Sequence, residues 1–492
     1  MNAPAPSPIP GAAASAPRTA GRLLPAFASI LAVTAALLAA PAHAADDAPV
    51  LPARLAGHAL LPARSFVPAP QDAPPDLRHS GKFTTGRRVE RLGSVEGTSF
   101  GRRTGVSLPF DGQPLQGHSG IQRMADGSFW VLTDNGAGAK ANSPDFMLYL
   151  NHYRVDFAQG GFTRLGTVFL HDPDRKVPFR IVQEGTAKRY LTGADFDPES
   201  FQIVGDTLWI GEEFGPFLIQ ADLQGKVLAV HETLVDGKPV RSPDHPAVVT
   251  PGAPGGAVEF QVKRSKGFEG LAASPDGSRL YALLEGPVWN AAAKDYERVG
   301  GKEALRVLEF DTRAGRWTGR SWLYPLEADG HAIGDFNLID AQSAPDGARA
   351  VGLVIERDNG EGTPDRACPP AAPPAPGAPA PAPRADCFPD VAKFKRVYKI
   401  AFDDAGAGGP VRKIASIDLL RIADPDRRAR KPLTDGALAF PFFTIENVDV
   451  VDATHLVVGN DNNLPFSSSR LPDAADDNEL VLLEAGEFLR AK

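Results

Sequence analysis

Sulfur-containing residues are scarce in this chain of 492 residues, which holds two cysteines and three methionines. Beyond the first 44 residues no apolar run reaches the length of a membrane span, so the sequence gives no indication of a membrane protein. Basic residues are outnumbered, with 52 Lys and Arg against 60 Asp and Glu and a net charge of −8. Such a chain is a poor candidate for nonspecific nucleic-acid binding and a good one for binding a hard cation.

The first 44 residues carry the features of a secretory signal peptide. Arg18 and Arg22 precede the apolar run LLPAFASILAVTAALLAAPAHA, which ends in an A-x-A cleavage pattern before Ala45. A membrane anchor is the alternative, but the short apolar run and its cleavage pattern favour removal. We therefore predict a signal peptide at 1–44, a flexible segment at 45–80, and a protein that is periplasmic or secreted.

Cys368 and Cys387 flank the low-complexity segment PPAAPPAPGAPAPAPRAD, which cannot pack a core. In an exported chain, two thiols predict one disulfide. We expect this disulfide to tether a Pro/Ala-rich insertion at 366–388 and to contribute little to the fold. A catalytic thiol is the alternative, but the surrounding sequence is linker.

The 49 glycines and 46 prolines favour many turns, and hence many short strands. Five segments share one layout, in which two short apolar runs flank a turn and a polar residue stands at each outer end. Three of the turns are Asp-Gly, at Asp126, Asp276 and Asp346, and two β-like runs around Asp-Gly predict a hairpin. The flanking pairs are Ser119 with Asp134, Glu199 with Glu212, Glu269 with Glu285, Asp340 with Glu356, and Glu446 with Asp461.

These units recur at intervals of roughly 70 residues, which is typical of propeller blades with long loops. No amphipathic helix recurs with them. We therefore predict an all-β fold, a β-propeller of six blades occupying 81–492. The sixth blade would be shared between the segment Lys82–Leu108 and the final strand NELVLLEAGEFL.

In a propeller, residues at one end of every innermost strand converge on the axis. Carboxylates and amides at those positions repel one another unless a cation neutralises them, and oxygen ligands without cysteine or clustered histidine suit Ca²⁺ better than Zn²⁺. The alternative is that each acid is an ordinary turn residue in solvent, which is how we interpret the acids of the Asp-Gly turns. The predicted metal ligands are Asp134, Glu199, Glu212, Glu213, Glu269, Glu285, Asp358, Glu446 and Asp461.

Several motifs in one order resemble a known bacterial family. They are GFEGLAASPDGSRLYALLEG, ADFDPES, GEEFGP, IERDNGEG and IENVDV followed by GNDNN, and they span Gly117 to Asn463. The sequence is similar here to the phytase-like domain family, described as having esterase-like activity of phytase. The resemblance implies an exported β-propeller related in architecture to calcium-dependent phytases, and a hydrolase.

No G-x-S-x-G nucleophile elbow occurs in the chain. Ser119 stands beside His118, but adjacent strand residues point to opposite faces, so His118 is a poor base for Ser119. A water activated by Ca²⁺ and a carboxylate is the expected nucleophile. The predicted catalytic residues are Glu269, Glu356, Arg357 and Glu446, and those that bind substrate oxygens are Lys266, Arg357 and Asn462.

Three functions stay open from the sequence. The first is a Ca²⁺-dependent hydrolase that cleaves phosphoric or other esters at the propeller axis. The second is a calcium-dependent lactonase or carboxylesterase, and the third is a non-catalytic propeller that binds a ligand. In the first two cases the partner is a small ester or phosphoester, and we expect a monomer that binds neither nucleic acid nor membrane after signal removal.

Overall fold

The structure is a computed structural model, and it describes residues 48–339, 350–370, 384–403 and 406–492. In these ranges the fold is all-β, as predicted, with a single short α-helix, α1 (Gly486–Arg490). No helix of these ranges is long and apolar enough to cross a membrane. The predicted signal peptide, Asp340, the Asp346 turn and most of the Pro/Ala-rich insertion lie outside the described residues.

Eight strands of the described residues precede the first repeated unit. The described residues also include three short 3-10 helices. Pro75–Arg78 lies between β3 and β4, Lys140–Asn142 between β10 and β11, and Pro364–Arg366 between β27 and β28. Strands β3 to β8 pair among themselves as β3 with β8, β4 with β7 and β5 with β6. The strands are β1 (Val50–Leu51), β2 (Arg54–Leu61), β3 (Phe66–Val67), β4 (His79–Ser80), β5 (Val95–Ser99), β6 (Arg102–Leu108), β7 (Phe110–Asp111) and β8 (Gln113–Pro114).

The first two blades are four-stranded antiparallel sheets built from consecutive strands. A small hairpin, β17–β18, follows the second blade. The strands are β9 (His118–Arg123), β10 (Phe129–Thr133), β11 (Tyr149–Asp156), β12 (Gly161–Phe169), β13 (Pro198–Val204), β14 (Thr207–Glu212), β15 (Phe217–Asp222), β16 (Val227–Glu232), β17 (Leu234–Val235) and β18 (Lys238–Pro239).

The third blade runs β19–β20–β24–β25, and the fourth runs β26–β27–β28–β29 with β1 added in parallel at its outer edge. Short strands β21 to β23 lie in the long loop of the third blade. The strands are β19 (Phe268–Ala273), β20 (Arg279–Leu284), β21 (Trp289–Asn290), β22 (Asp295–Tyr296), β23 (Arg298–Val299), β24 (Lys302–Asp311), β25 (Arg316–Pro325), β26 (Ala332–Ile339), β27 (Ala350–Arg357), β28 (Lys395–Phe402) and β29 (Arg412–Asp418).

The fifth blade joins the two ends of the chain. Its order is β32–β33–β34–β2, so that the strand Arg54–Leu61 pairs antiparallel with the last strand. At the centre of that pairing, His58 and Glu479 are both fully buried and their side chains lie 3.0 Å apart. The remaining strands are β30 (Ile422–Ala423), β31 (Ala437–Leu438), β32 (Ile445–Val450), β33 (His455–Asn460) and β34 (Asn478–Glu484).

The five innermost strands, β9, β13, β19, β26 and β32, contact one another in sequence, and β32 contacts β9 to close the ring. Close approach requires small residues between neighbours. A Cβ placed on Gly334 would lie 1.7 Å from the carbonyl oxygen of Ile445, and one on Gly270 would lie 2.5 Å from Phe336. The glycines therefore let the innermost strands meet at the axis.

Apolar side chains fill the spaces between neighbouring blades. Five buried clusters occupy the five interfaces, for example Phe268 and Leu280 with Trp209 between the second and third blades. Strands such as FWVLT and HLVVGN, rich in β-branched and aromatic residues, supply this packing. The hydrophobic effect of these interfaces stabilises the ring.

The blade count in the described residues differs from the six that the sequence favoured. The final strand completes the fifth blade, because its other edge is already covered by β2. The segment expected to share a sixth blade instead forms the separate hairpin β5–β6, whose Val106 and Leu108 pack with Leu464 in a sixth, smaller cluster. The segment therefore forms strands, but they lie outside the ring of blades.

The predicted disulfide is present between Cys368 and Cys387, whose Cα atoms lie 4.9 Å apart. Cys387 is buried, and the following Phe388 is fully buried beneath the guanidinium of Arg102. The base of the insertion therefore packs against the body of the protein.

Candidate functional site

Each blade places a β-bulge at the same end of its innermost strand. In the second, third and fifth blades, one residue is left unpaired by the bulge, and that residue is a glutamate in all three cases: Glu199, Glu269 and Glu446. An extra residue in one strand bends it and re-aims the side chain. The oxygens of these three carboxylates can all lie within 4.8 Å of one another.

The equivalent position in the first blade is Ser119, and in the fourth it is Gly334 at the start of a longer bulge. The Ser119 hydroxyl donates a hydrogen bond of 3.0 Å to Glu446 Oε2. His118, beside it, is fully buried with neither ring nitrogen hydrogen bonded, and burial lowers its pKa to about 3. His118 therefore does not act on Ser119, as expected from adjacent positions on a strand.

A second set of equivalent positions lies opposite the bulges. In each blade, one residue of the second strand pairs with the residue just before the bulge, and the set consists of the residue that follows it. These residues come from the far end of the second strand of each blade, and four of the five are acids. They are Asp134, Glu213, Glu285, Arg357 and Asp461. The fourth blade thus contributes a cation where the others contribute a carboxylate.

The three bulge glutamates and all five residues of the second set line one cavity of about 180 Å³ at the axis. Asp197 also lines it and receives hydrogen bonds from Asn135, whose Nδ2 lies 2.7 Å from Asp197 Oδ2. The cavity wall holds eight carboxylates and two cations, and the residues in it are Asp134, Asn135, Gly138, Asp197, Glu199, Glu213, Ser265, Lys266, Glu269, Glu285, Arg357, Phe443, Thr444, Glu446, Asp461 and Asn463.

The cavity's two cations lie on one side of it. Arg357 Nη2 lies 3.7 Å from Glu285 Oε1 and 3.5 Å from Glu446 Oε1, distances too long for good hydrogen bonds. Its Nε is buried without a hydrogen-bond partner. Lys266 makes a short ion pair with the other oxygen of Glu285. The guanidinium therefore keeps donors available for another acceptor.

Burial among other acids disfavours ionisation of these carboxyl groups. Burial, and then repulsion from neighbouring carboxylates, raises the pKa of Glu199 and Glu269 well above the ordinary value. The pKa of Glu446 is raised only to about 7, because Arg357 and the Ser119 hydrogen bond oppose the effect of burial. Carboxyl groups whose pKa is raised in this way hold protons that a bound cation would displace.

The structure brings together nine of the residues that the sequence proposed for the site. Asn462 is turned away, since its Nδ2 donates to the carbonyl oxygen of Asp476. The residues of the cavity wall among the predicted set are Asp134, Glu199, Glu213, Lys266, Glu269, Glu285, Arg357, Glu446 and Asp461.

Three predicted acids also lie outside the cavity, each held by another partner. Glu212 accepts hydrogen bonds from the backbone N–H groups of the following turn, including Gly215 and Phe217 at 2.7 Å each. Glu356 accepts from Tyr324, His331, Lys413 and the backbone of Glu327. Asp358 pairs with Lys395 at 3.0 Å and caps the backbone of residues 393–394.

For Glu212 and Glu356, the residue that lines the cavity is the next one along the strand. Each is followed by a second charged residue, Glu213 or Arg357, and successive side chains of a strand point to opposite faces. Asp197, which the sequence analysis missed as a site residue, lies two residues before Glu199 within the motif ADFDPES, but it precedes β13 and a bulge separates it from the regular strand, so strand alternation does not indicate it. The remaining wall residues, such as Phe443 and Asn463, come from loops and carry no periodic signal.

Comparison with known proteins gives one family. A model of the phytase-like family, described as esterase-like activity of phytase, matches residues 113–464, which contain every residue of the cavity wall. A search of curated proteins returned no match.

Solved structures with a similar fold include a periplasmic gluconolactonase of Pseudomonas aeruginosa, with 15% identity, 79% of this chain and 96% of that chain covered, and a TM-score of 0.29. Hydrazine synthase of Kuenenia stuttgartiensis gives 14% identity, coverage of 71% and 78%, and a TM-score of 0.26. A thermostable family-43 glycoside hydrolase shows 9% identity, with 75% of this chain and 88% of that chain covered, and a TM-score of 0.34. Scores of this size do not bear on the activity of the present chain.

Proposed function

Since the chain belongs to the phytase-like family, we propose that it is a hydrolase of phosphoric esters whose axial cavity binds Ca²⁺. The observation that carries the proposal is the composition of the cavity wall, with eight buried carboxylates, two cations and no thiol or imidazole. The carboxylates suit a hard cation, and the two cations suit the oxygens of an anionic substrate.

The donor set fits calcium in its chemistry. Ca²⁺ takes about six to eight oxygen ligands, and carboxylates supply most of them in proteins. Three overlapping triplets of carboxylate oxygens, each within 4.8 Å, are candidate ligands: Asp197 with Glu199 and Glu213, Glu199 with Glu269 and Glu446, and Glu213 with Glu269 and Glu285. When bound, the cation would neutralise the carboxylates, polarise the ester and acidify a water.

Arg357 and Lys266 favour a phosphoric ester over a neutral acyl ester or lactone. A phosphoryl group carries charged oxygens that need donors, and a guanidinium is well suited to them. Arg357 is held by its long contacts with Glu285 and Glu446, so it can turn its free donors to the substrate with little movement. An acyl ester or lactone carries no charged oxygens before attack, so it would use the two cations less fully, which makes a lactonase or carboxylesterase the second candidate.

Glu446 is the best candidate for a general acid or base among the cavity carboxyls. Without a bound cation its pKa is about 7, and a cation held by either of the two triplets that exclude Glu446 would leave this carboxyl free to hold or release a proton. The Ser119 hydroxyl fixes one of its oxygens, and the Arg357 guanidinium lies near the other. In this role Glu446 would take a proton from the attacking water or return one to the leaving group.

The test is an assay of the purified protein with phosphate monoesters, phytate and acyl esters, each with Ca²⁺ and with a chelator. We expect hydrolysis of phosphate esters that depends on calcium and falls at least about 100-fold in Glu446→Gln, the scale of a lost acid–base group. Turnover of acyl esters or lactones alone would replace this function by the second candidate. Calcium binding without turnover of any ester would leave a ligand-binding propeller.

A further inference from the structure

The tip of the hairpin β5–β6 presents an aromatic side chain to solvent beside the axial cavity. Phe100 is 59% exposed, and its ring packs edge-on against Phe443 with centroids 5.5 Å apart. Phe443 in turn lines the cavity. We propose that Phe100 and Phe443 form an aromatic subsite that selects esters carrying a planar apolar group. The inference rests on the proposed function and adds the substrate class.

The turn that carries Phe100 is not explained by its own stability. Ser99 pairs with Arg102, so Phe100 and Gly101 form a two-residue loop, with φ values of +47° and +80°. Positive φ at both positions is the pattern of a type I′ turn, which favours Asn-Gly or Asp-Gly. This left-handed conformation is less favourable for phenylalanine than for asparagine. Such a residue at a site of strain suggests a function for its side chain.

The residue that follows the turn is held in place, and this fixes the position of Phe100 as well. Arg102, the residue after the turn, is fully buried and pairs with Glu361. Its guanidinium also donates to the Ser468 hydroxyl and the Pro472 carbonyl, at 3.0 Å each. A rigid support of this kind positions a side chain for binding, since little conformational entropy remains to be lost.

A continuous row of side chains leads from the cavity to solvent. Arg357 is buried, and its guanidinium lies 5.3 Å from the centre of the Phe443 ring. Phe443 is half-buried, and Phe100 is exposed. A ligand whose anionic group contacts Arg357 would therefore extend past the face or edge of Phe443 toward Phe100.

The size of the cavity requires the rest of the substrate to lie at its mouth. A cavity of about 180 Å³ is only slightly larger than the ~150 Å³ that holds one benzene molecule, and the bound cation takes part of it. The scissile group fills what is left. The organic part of the ester must then contact the mouth, where the two phenylalanine rings offer an apolar surface for an aromatic group.

Binding of two phosphonates tests the subsite without requiring turnover. Phenylphosphonate and methylphosphonate share the anionic group and differ in the ring. The calcium-loaded protein is titrated with each by calorimetry, in the wild type, Phe100→Asn and Phe100→Tyr, and in Phe260→Asn as a matched control. Phe260 is 39% exposed and lines a separate cavity with Trp289 and Tyr296.

We expect the wild type to prefer phenylphosphonate by roughly three- to tenfold, the scale of an aromatic contact. Phe100→Asn, which suits the turn better, should keep or raise the melting temperature, abolish most of the preference and leave methylphosphonate affinity unchanged. Phe100→Tyr and Phe260→Asn should retain the preference. An equal preference in Phe100→Asn and wild type would overturn the subsite alone. Binding of neither phosphonate by the wild type would overturn the proposed function and the subsite together.

Discussion

At the scale of single residues, two glutamates one blade apart show how the same side chain takes opposite roles. Glu269 lies in a bulge, among acids, and burial and repulsion raise its pKa. Glu356 is equally buried, but hydrogen bonds and charge from His331 and Lys413 overcome the effect of burial and lower its pKa. In the proposed calcium site the first carboxylate would be a ligand, whereas the second already pairs with Lys413.

Glu269→Gln should weaken calcium binding with little change in the stability of the calcium-free protein. The amide keeps the volume, but it removes one charge and so one strong ligand. A tenfold loss of affinity removes about 1.4 kcal/mol of calcium-linked stabilisation at saturation. Calorimetric titration with calcium and melting curves with and without it measure both quantities. The exposed Glu259, changed to Gln, is the control. Unaltered calcium affinity in Glu269→Gln would remove this residue from the ligand set.

Glu356→Gln should show the reverse pattern, because its four donors lose an ionised acceptor in a buried place. Breaking a buried pair by removing one partner costs about 3 to 5 kcal/mol. We expect denaturant unfolding to show a loss of roughly that size, with calcium affinity unchanged within twofold. A variant that folds as stably as wild type and binds calcium poorly would return Glu356 to the metal site.

From the sequence, the type of residue that lines the cavity could be predicted better than which individual residues line it. Repeated acids at hairpin ends were enough to place Glu199, Glu269 and Glu446 together, because a bulge recurs at equivalent positions of their strands. Where two charged residues are consecutive, the strand register decides which of them faces the axis. The register depends on how the strands pair, and this pairing cannot be deduced from one sequence.

At the scale of elements, we predict that the blades fold without the Pro/Ala-rich insertion and its disulfide, although Phe388 at its base packs on Arg102. The disulfide holds the two ends of the insertion together, and Ala367 bridges Phe388 immediately outside it. Replacing residues 368–387 by two glycines would therefore connect segments that are already neighbours. We expect cooperative unfolding to persist, with a melting temperature within about 5 °C of wild type. Loss of a cooperative transition in circular dichroism would make the insertion part of the fold.

The hairpin predictions from the sequence succeeded for a local reason. An apolar run, a tight turn and a second apolar run specify a strand pair without reference to the rest of the molecule. Assignment of a pair to a blade depends on distant partners. The segment at β5–β6 has alternating burial like a blade strand, yet its Val106 packs on the loop of Leu464 and not between blades.

At the scale of the whole molecule, the acid-lined axis links stability to pH and, if the proposed site binds calcium, to that cation as well. The folded-state pKa of Glu446, about 7, lies above its ordinary value of 4.5, so the folded protein binds more protons than the unfolded chain between these values. Stability is therefore greatest below about pH 4.5 for this group and falls as pH rises through 7. In chelator we expect the melting temperature to fall across this window by a few degrees.

Millimolar calcium should flatten or reverse that fall, since the cation replaces the protons. Scanning calorimetry from pH 4.5 to 8, with chelator and with calcium, measures the difference. Magnesium at the same concentration is the control, because it demands a smaller and more regular oxygen shell. Parallel pH profiles in chelator and in calcium would show that the axial acids do not bind the cation.

The pairing of β2 with β34 also means that one strand is synthesised long before its partner. His58 and Glu479 are separated by 421 positions, which a ribosome making roughly 5 to 20 residues per second covers in about 20 to 80 s. During that interval the nascent chain carries an early strand whose partner does not yet exist. Its exposed edge is open to pairing with other chains. A chain truncated before Asn478 therefore lacks the strand with which β2 pairs, and its fifth blade stays open between β33 and β2.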